Sequence, residues 1–329
     1  MNKVMVIGCN AFSGASFTDT CLNEGLQVIG VNRSADTNPV FLKYSSNPNL
    51  NRFTFRPYDL NKHLNEIIDA AKAERIDTVV NFASQSMVGE SWQNPRHWYM
   101  TNTLSTINLH ERLRHLDFLD RYVHISTPEV YGSCSGDVTE NRNYNPSTPY
   151  ATSRAAADMS LKNFFDTYKF PVLFTRAANV YGEHQQLYRI IPKALLCFLS
   201  GKKLPLHGGG HSVRSFIHID DVSDATLKIA EKGHIGDIYH IATRETISIR
   251  ALTQKIAAYL GIEYSDAVEI TDDRPGKDSA YLLDSTKLRT ETGWQDTVGL
   301  DEGIARTADW IKANLELLNT LPDYYIHKE

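Results

Sequence analysis

The chain has 329 residues, 42% hydrophobic and 22% charged, enough apolar material for one large or two coupled domains and too much for a disordered chain. Its formal net charge of −5 argues against a nucleic-acid partner but leaves room for a local basic pocket that takes an anionic small molecule. No stretch reaches the roughly 18 apolar residues of a membrane span. Cys9, Cys21, Cys134 and Cys197 lack metal-ligand spacing, and MNKVMVIGCNAFSG lacks a signal-peptide layout, so a soluble, cytoplasmic protein with free thiols and no metal is expected.

The first half alternates short β-type runs with helical patterns. Strands are expected at 3–8 (KVMVIG), 26–32 (LQVIGVN), 51–59, 77–84 (DTVVNFAS), 120–127 and 171–182 (PVLFTRAANVYG). Helices are expected at 13–25, 61–75, about 94–115 and 148–169. Such alternation implies an α/β fold, a Rossmann-type doubly wound parallel sheet. The second half holds a Gly cluster at 207–210, β-like runs at 214–219 and 237–242, and helices at 221 to about 231, 248–260 and about 301–318. It reads as a smaller α/β substrate-binding lobe interleaved with the sheet domain. The expected boundaries are 1–178 plus about 215–244 for the NAD(P)-binding domain, and about 179–214 plus 245–329 for the lobe. Sites in open α/β sheets lie at the carboxyl ends of the strands, where every candidate below falls or else in the lobe.

VIGCNAFSGASF opens the first βαβ unit. Gly8 and Gly14 bracket Asn10, Ala11, Phe12 and Ser13, with Ala11 where a middle glycine is common. Glycines there let the backbone approach a pyrophosphate that the helix N-terminus attracts; a plain tight turn is the alternative. Strand two ends at Asn32, Arg33 and Ser34. A basic residue at that place accommodates the 2′-phosphate of NADP, which is therefore favoured, with NAD as the alternative. Asp59, followed by Leu60, either accepts a hydrogen bond from an adenine amino group or caps a turn.

Strand five runs into ISTPEVYG, which sets a hydroxyl (Thr127) and a carboxylate (Glu129) around Pro128. PSTPYATSR follows, with Tyr150 and Arg154 four apart on one helix face. A phenol ionises near pH 10, and a cation one turn away favours the phenolate, bringing it nearer to service as a base. A Thr-Tyr-cation set beside a dinucleotide turn suits removal of hydride and proton from a secondary alcohol.

With GCNAFSG, NFASQSMVGES, STPEVYG, PSTPYATSR, TRAANVYG, HGGGHSVRSFIHIDDV, DDRPGKDSAYLLD and TGWQ, the chain resembles the extended short-chain dehydrogenase/reductases over nearly its whole length, specifically the nucleotide-sugar 4,6-dehydratases. NFASQS and the basic end of strand two look most like the GDP-mannose branch, DRPGKD like the dTDP-glucose branch. The resemblance implies a nucleotide-diphosphate hexose substrate and a redox cycle that closes on itself. Tyr150 would take the proton of the C4 hydroxyl while C4 gives hydride to the nicotinamide. Glu129 would remove the C5 proton, water would leave from C6, and the hydride would return to C6. Tyr150 and Arg154 would also hold the nicotinamide ribose. Two positions depart from the family pattern. Pro128 stands where many dTDP-glucose members carry an aspartate that protonates the departing hydroxyl, so Glu129 would serve as base and then acid. Arg154 stands where the family has lysine, an exchange that is not conservative at a fitted site.

By the same resemblance, Asn179, Arg214 and Arg274 would meet the diphosphate, Gly208–Gly210 would lie against the nucleoside, and Gln85 and Ser86 would meet sugar hydroxyls. Pairing through the helices at 94–115 and 148–169 would give a homodimer or higher homo-oligomer. The competing readings are a related epimerase, 5,6-dehydratase or decarboxylase, and a catalytically impaired cofactor-binding protein.

Overall fold

Strand β1 (Lys3–Ile7) shows why the sheet forms: Val4 and Val6 enter one buried cluster, Met5 and Ile7 the other. Side chains of a strand alternate between faces, so an apolar run buried on both sides needs helices on both. The computed structural model describes residues 1–134, 136–272 and 282–328. The sheet contains β1, β2 (Gln27–Val31), β3 (Phe53–Arg56), β4 (Thr78–Asn81), β5 (Arg121–Ile125), β7 (Val172–Ala177) and β12 (Ile238–Ile241); the short β6 (Asp137–Val138) stands apart. Its order is β12-β7-β5-β4-β1-β2-β3, all parallel. The order reverses between β1 and β4, and the crevice at that reversal is where such sheets take ligands.

Helices α1 (Phe12–Asn23) and α7 (Ile219–Lys232) cover one face, joined through Phe17, Leu22, Val222 and Ile229. Helix α2 (Leu64–Glu74), a helical stretch at 95–113 and α5 (Pro149–Tyr168) cover the other, through Ile67, Ile68, Leu109 and Leu161. Burying each such side chain is worth about 1.5–3 kcal/mol. The helix expected at 94–115 is three pieces: α3 (Pro95–Trp98), a π-helical stretch (Tyr99–Ser105) and α4 (Thr106–Leu113). The π-helical stretch carries Asn102, whose Oδ1 accepts from the Gln85 amide (2.8 Å) and whose Nδ2 donates to Ser153 Oγ (3.0 Å), tying the loop after β4 to α5.

The strand expected at 171–182 also divides. After Ala177 the chain leaves the sheet, and β8 (Asn179–Tyr181) pairs with β11 (Phe216–His218) instead. The lobe adds α6 (Ile190–Leu199), β9 (Leu204–His207), β10 (Val213–Arg214), β13 (Ile247–Ser248), α8 (Ile249–Leu260), α9 (Tyr264–Ala267), β14 (Val268–Thr271), α11 (Leu300–Ala313) and α12 (Leu315–Leu318), whereas β15 (Leu282–Leu283) and α10 (Thr286–Thr292), expected there too, send Leu283 and Leu288 into the core of the sheet domain. Its core joins Ile191, Leu195, Leu252, Ile256, Ile304 and Ile311. Arg306 of α11 binds both Glu183 (2.9 Å) and Asp220 (2.6 Å), and Lys43 from beyond β2 also pairs with Asp220, clamping lobe to sheet domain. Among the described residues no helix is long and apolar enough to cross a membrane.

Candidate active site

The turn from β1 into α1 is a backbone cradle. A Cβ on Gly8, whose φ is +85°, would lie 2.8 Å from Ala83 N beyond β4, and one on Gly14 would lie 2.1 Å from Gly8 O. Both positions therefore need glycine. Ala11 is the N-cap of α1 and offers no side-chain cap, so the first-turn amides, including those of Phe12 and Ser13, point to the switch point uncapped by side chains. Bare amides at the positive end of a helix suit a pyrophosphate. These features fit a dinucleotide cofactor.

The polar residues around the cradle mostly buttress it. Asn10 is buried, donates to Ser34 O (3.1 Å) and accepts from Tyr44 Oη (2.7 Å). Asn32 Nδ2 also donates to Ser34 O (3.0 Å), and Ser34 Oγ accepts from the Asp36 amide. Asp59 Oδ1 accepts from the Asn61 amide (2.8 Å), the turn-capping arrangement, and Leu60 is buried beside it. Arg33 Nη1 donates to the carbonyl of Lys328 (3.3 Å), a partner 295 residues away.

ISTPEVYG is held from below and behind. Ser126 Oγ donates to Asp158 Oδ2 (2.7 Å) on α5. Thr127 caps a 3-10 turn (Pro128–Tyr131), its Oγ1 accepting from the Glu129 amide (3.3 Å). Pro128 fills the first position of that turn, where its missing N–H costs nothing. Tyr131 is buried, its hydroxyl 2.7 Å from His240 Nε2. At Gly132 (φ +68°) a Cβ would sit 2.2 Å from Asn145 O, so the chain can leave the site only through glycine. Pro128 thus fixes the turn that sets Glu129 beside Thr127.

Tyr150 lies in the first turn of α5, whose N-cap Thr148 accepts from the Ala151 amide. It is buried and near enough to Thr127, Glu129, Arg154 and Arg189 for each to bear on its ionisation. Thr127, Glu129, Tyr150 and Arg154 therefore converge. The acidified phenol expected from Arg154 is corrected in sign. Burial, helped by the Glu129 charge, pushes the Tyr150 pKa up, outweighing Arg154, Thr127 and Arg189. Arg154 is buried and its Nη2 donates to the carbonyl of Ile125, so its fork is partly spent on the end of β5.

Behind the motif lies a buried ion pair that the sequence reading passed over. Asp158 Oδ2 accepts from Arg176 Nη2 (2.8 Å), and His124 Nε2 lies 3.3 Å from Oδ1. Burial pushes the Asp158 carboxyl up, but His124, Arg176 and Ser126 outweigh it and hold the pKa at about 2. Its folded pKa is below the unfolded 3.8, so its contribution is full above that value and is lost as pH falls from about 4 to about 2. Asp158→Asn is expected to cost about 3–5 kcal/mol, because it leaves a buried guanidinium uncompensated. Urea denaturation at pH 7 measures the loss, and the gap between parent and variant should narrow below pH 4. Asp158 is four residues beyond Arg154 on the same helix, a spacing that could have flagged it.

The expected substrate residues are more scattered. Gln85 is buried and Ser86 half-buried after β4. Asn179 begins β8, its amide bonded to Ser215 O (3.1 Å). Arg214, in β10, donates to Val213 O (2.8 Å). Gly209 and Gly210 are buried, and a Cβ on Gly210 would meet the Arg250 amide at 2.9 Å, a close approach of the lobe's own backbone. Arg274 lies outside the described residues. Arg189, at the position just before α6 and making no side-chain capping bond, was missed because it precedes a helix the sequence pattern did not reveal.

The family model described as GDP-mannose 4,6 dehydratase matches residues 5–307. The chain belongs to this family. Among its relatives is the trifunctional UDP-glucose 4,6-dehydratase/UDP-4-keto-6-deoxy-D-glucose 3,5-epimerase/UDP-4-keto-L-rhamnose-reductase of Arabidopsis thaliana, 34% identical over 74% of this chain. The match spans only 37% of that protein's length. A dTDP-glucose 4,6-dehydratase of Xanthomonas campestris is 30% identical over 94% of this chain and 93% of its own. Among solved structures, DesIV, a dTDP-glucose 4,6-dehydratase from Streptomyces venezuelae with NAD and TYD bound, is 30% identical with a TM-score of 0.88, covering 96% of this chain and 98% of its own. The family's extended short-chain dehydrogenase/reductase fold thus accounts for the sheet order, the switch-point crevice and the added lobe.

Proposed function

We propose that the protein is a nucleotide-sugar 4,6-dehydratase that uses a bound nicotinamide cofactor to turn a nucleotide-diphosphate hexose into the 4-keto-6-deoxy sugar. The observation that carries this reading is Glu129, placed by the Thr127-capped turn within electrostatic reach of the Tyr150 phenol. One basic group serves oxidation at a carbinol carbon; the second serves elimination at its neighbours. A bound nicotinamide supplies the acceptance of hydride from C4 and its return to C6. Tyr150 takes the C4 hydroxyl proton, with Thr127, Arg154 and Arg189 opposing the rise in its pKa. The 4-keto group acidifies C5, whose proton passes to Glu129. Pro128 has no proton to give, so Glu129 returns that proton to the C6 hydroxyl, which departs as water; once hydride is back on C6, C5 takes up a proton from solvent and Tyr150 releases the one it took from the C4 hydroxyl, which closes the balance.

NAD is the cofactor we favour. Arg33, the reason to expect NADP, donates to the Lys328 carbonyl, and DesIV is a structure with NAD. Gly8, Ala11, Phe12, Ser13 and Gly14 would cradle its pyrophosphate. Asn179 and Arg214 would take the sugar-nucleotide diphosphate and Ser86 the sugar, whereas Gln85, expected there as well, has both ends of its amide bonded to residues 325 and 328. The sheet domain would comprise 1–178 and about 215–244, with 282–295 packed on it, and the lobe the rest. We also propose a homodimer. Trp92, Met100, Leu104 and Met159 are exposed apolar side chains on the 89–113 segment and α5, faces that a second copy would bury. Sedimentation that returns a particle of 37.1 kDa would contradict the dimer. The activity is tested by incubation with GDP-, UDP-, dTDP- and CDP-hexoses. One should give a base-sensitive 4-keto chromophore; an inverted hexose without keto product would overturn the reading.

A further inference from the structure

Beyond α12 the chain continues as an extended segment whose exposure alternates. Residues 323, 325 and 327 are half-buried and 322, 324, 326 and 328 exposed, the period of a strand lying on a surface. The inward side chains are anchored on both sides of the crevice. Tyr325 meets Tyr188 edge-on (centroids 5.5 Å) in the loop before α6, and its hydroxyl donates to Gln85 Oε1 (3.4 Å). His327 stacks on Trp98 (5.2 Å) and His97 (5.1 Å) of α3, its Nε2 2.8 Å from His97 Nδ1. The Lys328 carbonyl accepts from both Gln85 Nε2 (2.7 Å) and Arg33 Nη1 (3.3 Å).

Sheet order locates that carbonyl. Gln85 follows β4, Arg33 follows β2, and β1 lies between those strands. A group bonded to both therefore spans the carboxyl end of β1, across the Gly8–Gly14 cradle. The ring anchors, Tyr188 and Trp98, belong to flanking elements and not to the cradle itself.

We propose that residues 322–328 form a strap that closes across the dinucleotide crevice and holds the cofactor in place; the proposal rests on the dehydratase reading above. A cofactor that is reduced in one step and reoxidised in a later one must not leave between them, and a strap pinned to both flanks slows departure without touching the reacting carbons. Arg33, engaged by the strap's carbonyl, is also drawn away from a 2′-phosphate, so the same segment selects NAD over NADP.

The test uses the full chain, a chain ending at Leu321 and the full-length variant His327→Ala, without sugar present. NADH bound to each is displaced by excess NAD and its release followed by fluorescence. Release should quicken roughly tenfold in both variants, since loss of contacts at a closed site is read mainly in the off-rate. The truncated chain should also gain affinity for NADP relative to NAD. Equal release rates in parent and variants would overturn the strap. Variants that hold the dinucleotide more tightly would overturn it in favour of a plug that competes with cofactor. A parent that binds no dinucleotide would overturn the functional reading as well, so the two failures are distinct.

Discussion

Glu129→Gln is expected to lower turnover by about 10³-fold while leaving the first half of the reaction intact. Glutamine keeps the length and planarity of glutamate, and the turn that carries it is held by backbone and Thr127 contacts that the exchange does not touch. What disappears is the basicity needed at C5. Oxidation at C4 still proceeds, so reduced cofactor should build up on the enzyme in near-stoichiometric amount when sugar nucleotide is added, visible in near-ultraviolet absorbance. A second consequence separates this account from a simple loss of packing. The Glu129 charge is one of the causes that push the Tyr150 pKa up. Its removal should shift the acid limb of the oxidation half-reaction to lower pH. A variant that forms product at the parent rate would remove Glu129 from the mechanism.

Tyr150→Phe is expected to abolish both halves, again by about 10³-fold or more, because the proton of the C4 hydroxyl has nowhere to go. The aromatic ring stays in its buried place at the start of α5, so denaturation midpoints should change little. No reduced cofactor should accumulate, in contrast to Glu129→Gln. The pH profile of the parent follows from the sign of the shift. Burial first, and Glu129 after it, raise the phenol pKa, so only a minor fraction is ionised at neutral pH. On that basis kcat/KM should climb with pH through the neutral range and flatten only as the phenol ionises. A flat profile from pH 6 upward would place the working base elsewhere.

The sheet and its glycine turn were readable because their causes are local. Apolar runs such as KVMVIG and DTVVNFAS state their burial outright, and a glycine at a positive-φ turn is a short-range demand. Helix α6 escaped because IIPKALLCFL is a short, mostly apolar run with a proline at its third position, which sequence alone does not separate from a buried strand. The break at Ala178 depends on β11 offering β8 a partner far along the chain. Arg33 illustrates the same limit at the site. Its charge is visible in the sequence, but its partner lies 295 residues on. Tyr150 and Arg154 were legible as a pair one turn apart, yet the sign of the phenol's shift came from burial, which spacing does not report. Asp158 was overlooked because a buried carboxylate is recognised by the groups that surround it, here Ser126, His124 and Arg176 from β5, its end and β7.

The decisive measurement follows the hydrogen at C4. A nucleotide hexose carrying deuterium at that carbon is turned over by the parent enzyme, and the product's label is located by NMR. Two bases acting on one ring beside a nicotinamide predict a 4-keto-6-deoxy sugar with the deuterium on C6. Deuterium found back on C4 of an intact, inverted hexose would contradict the account.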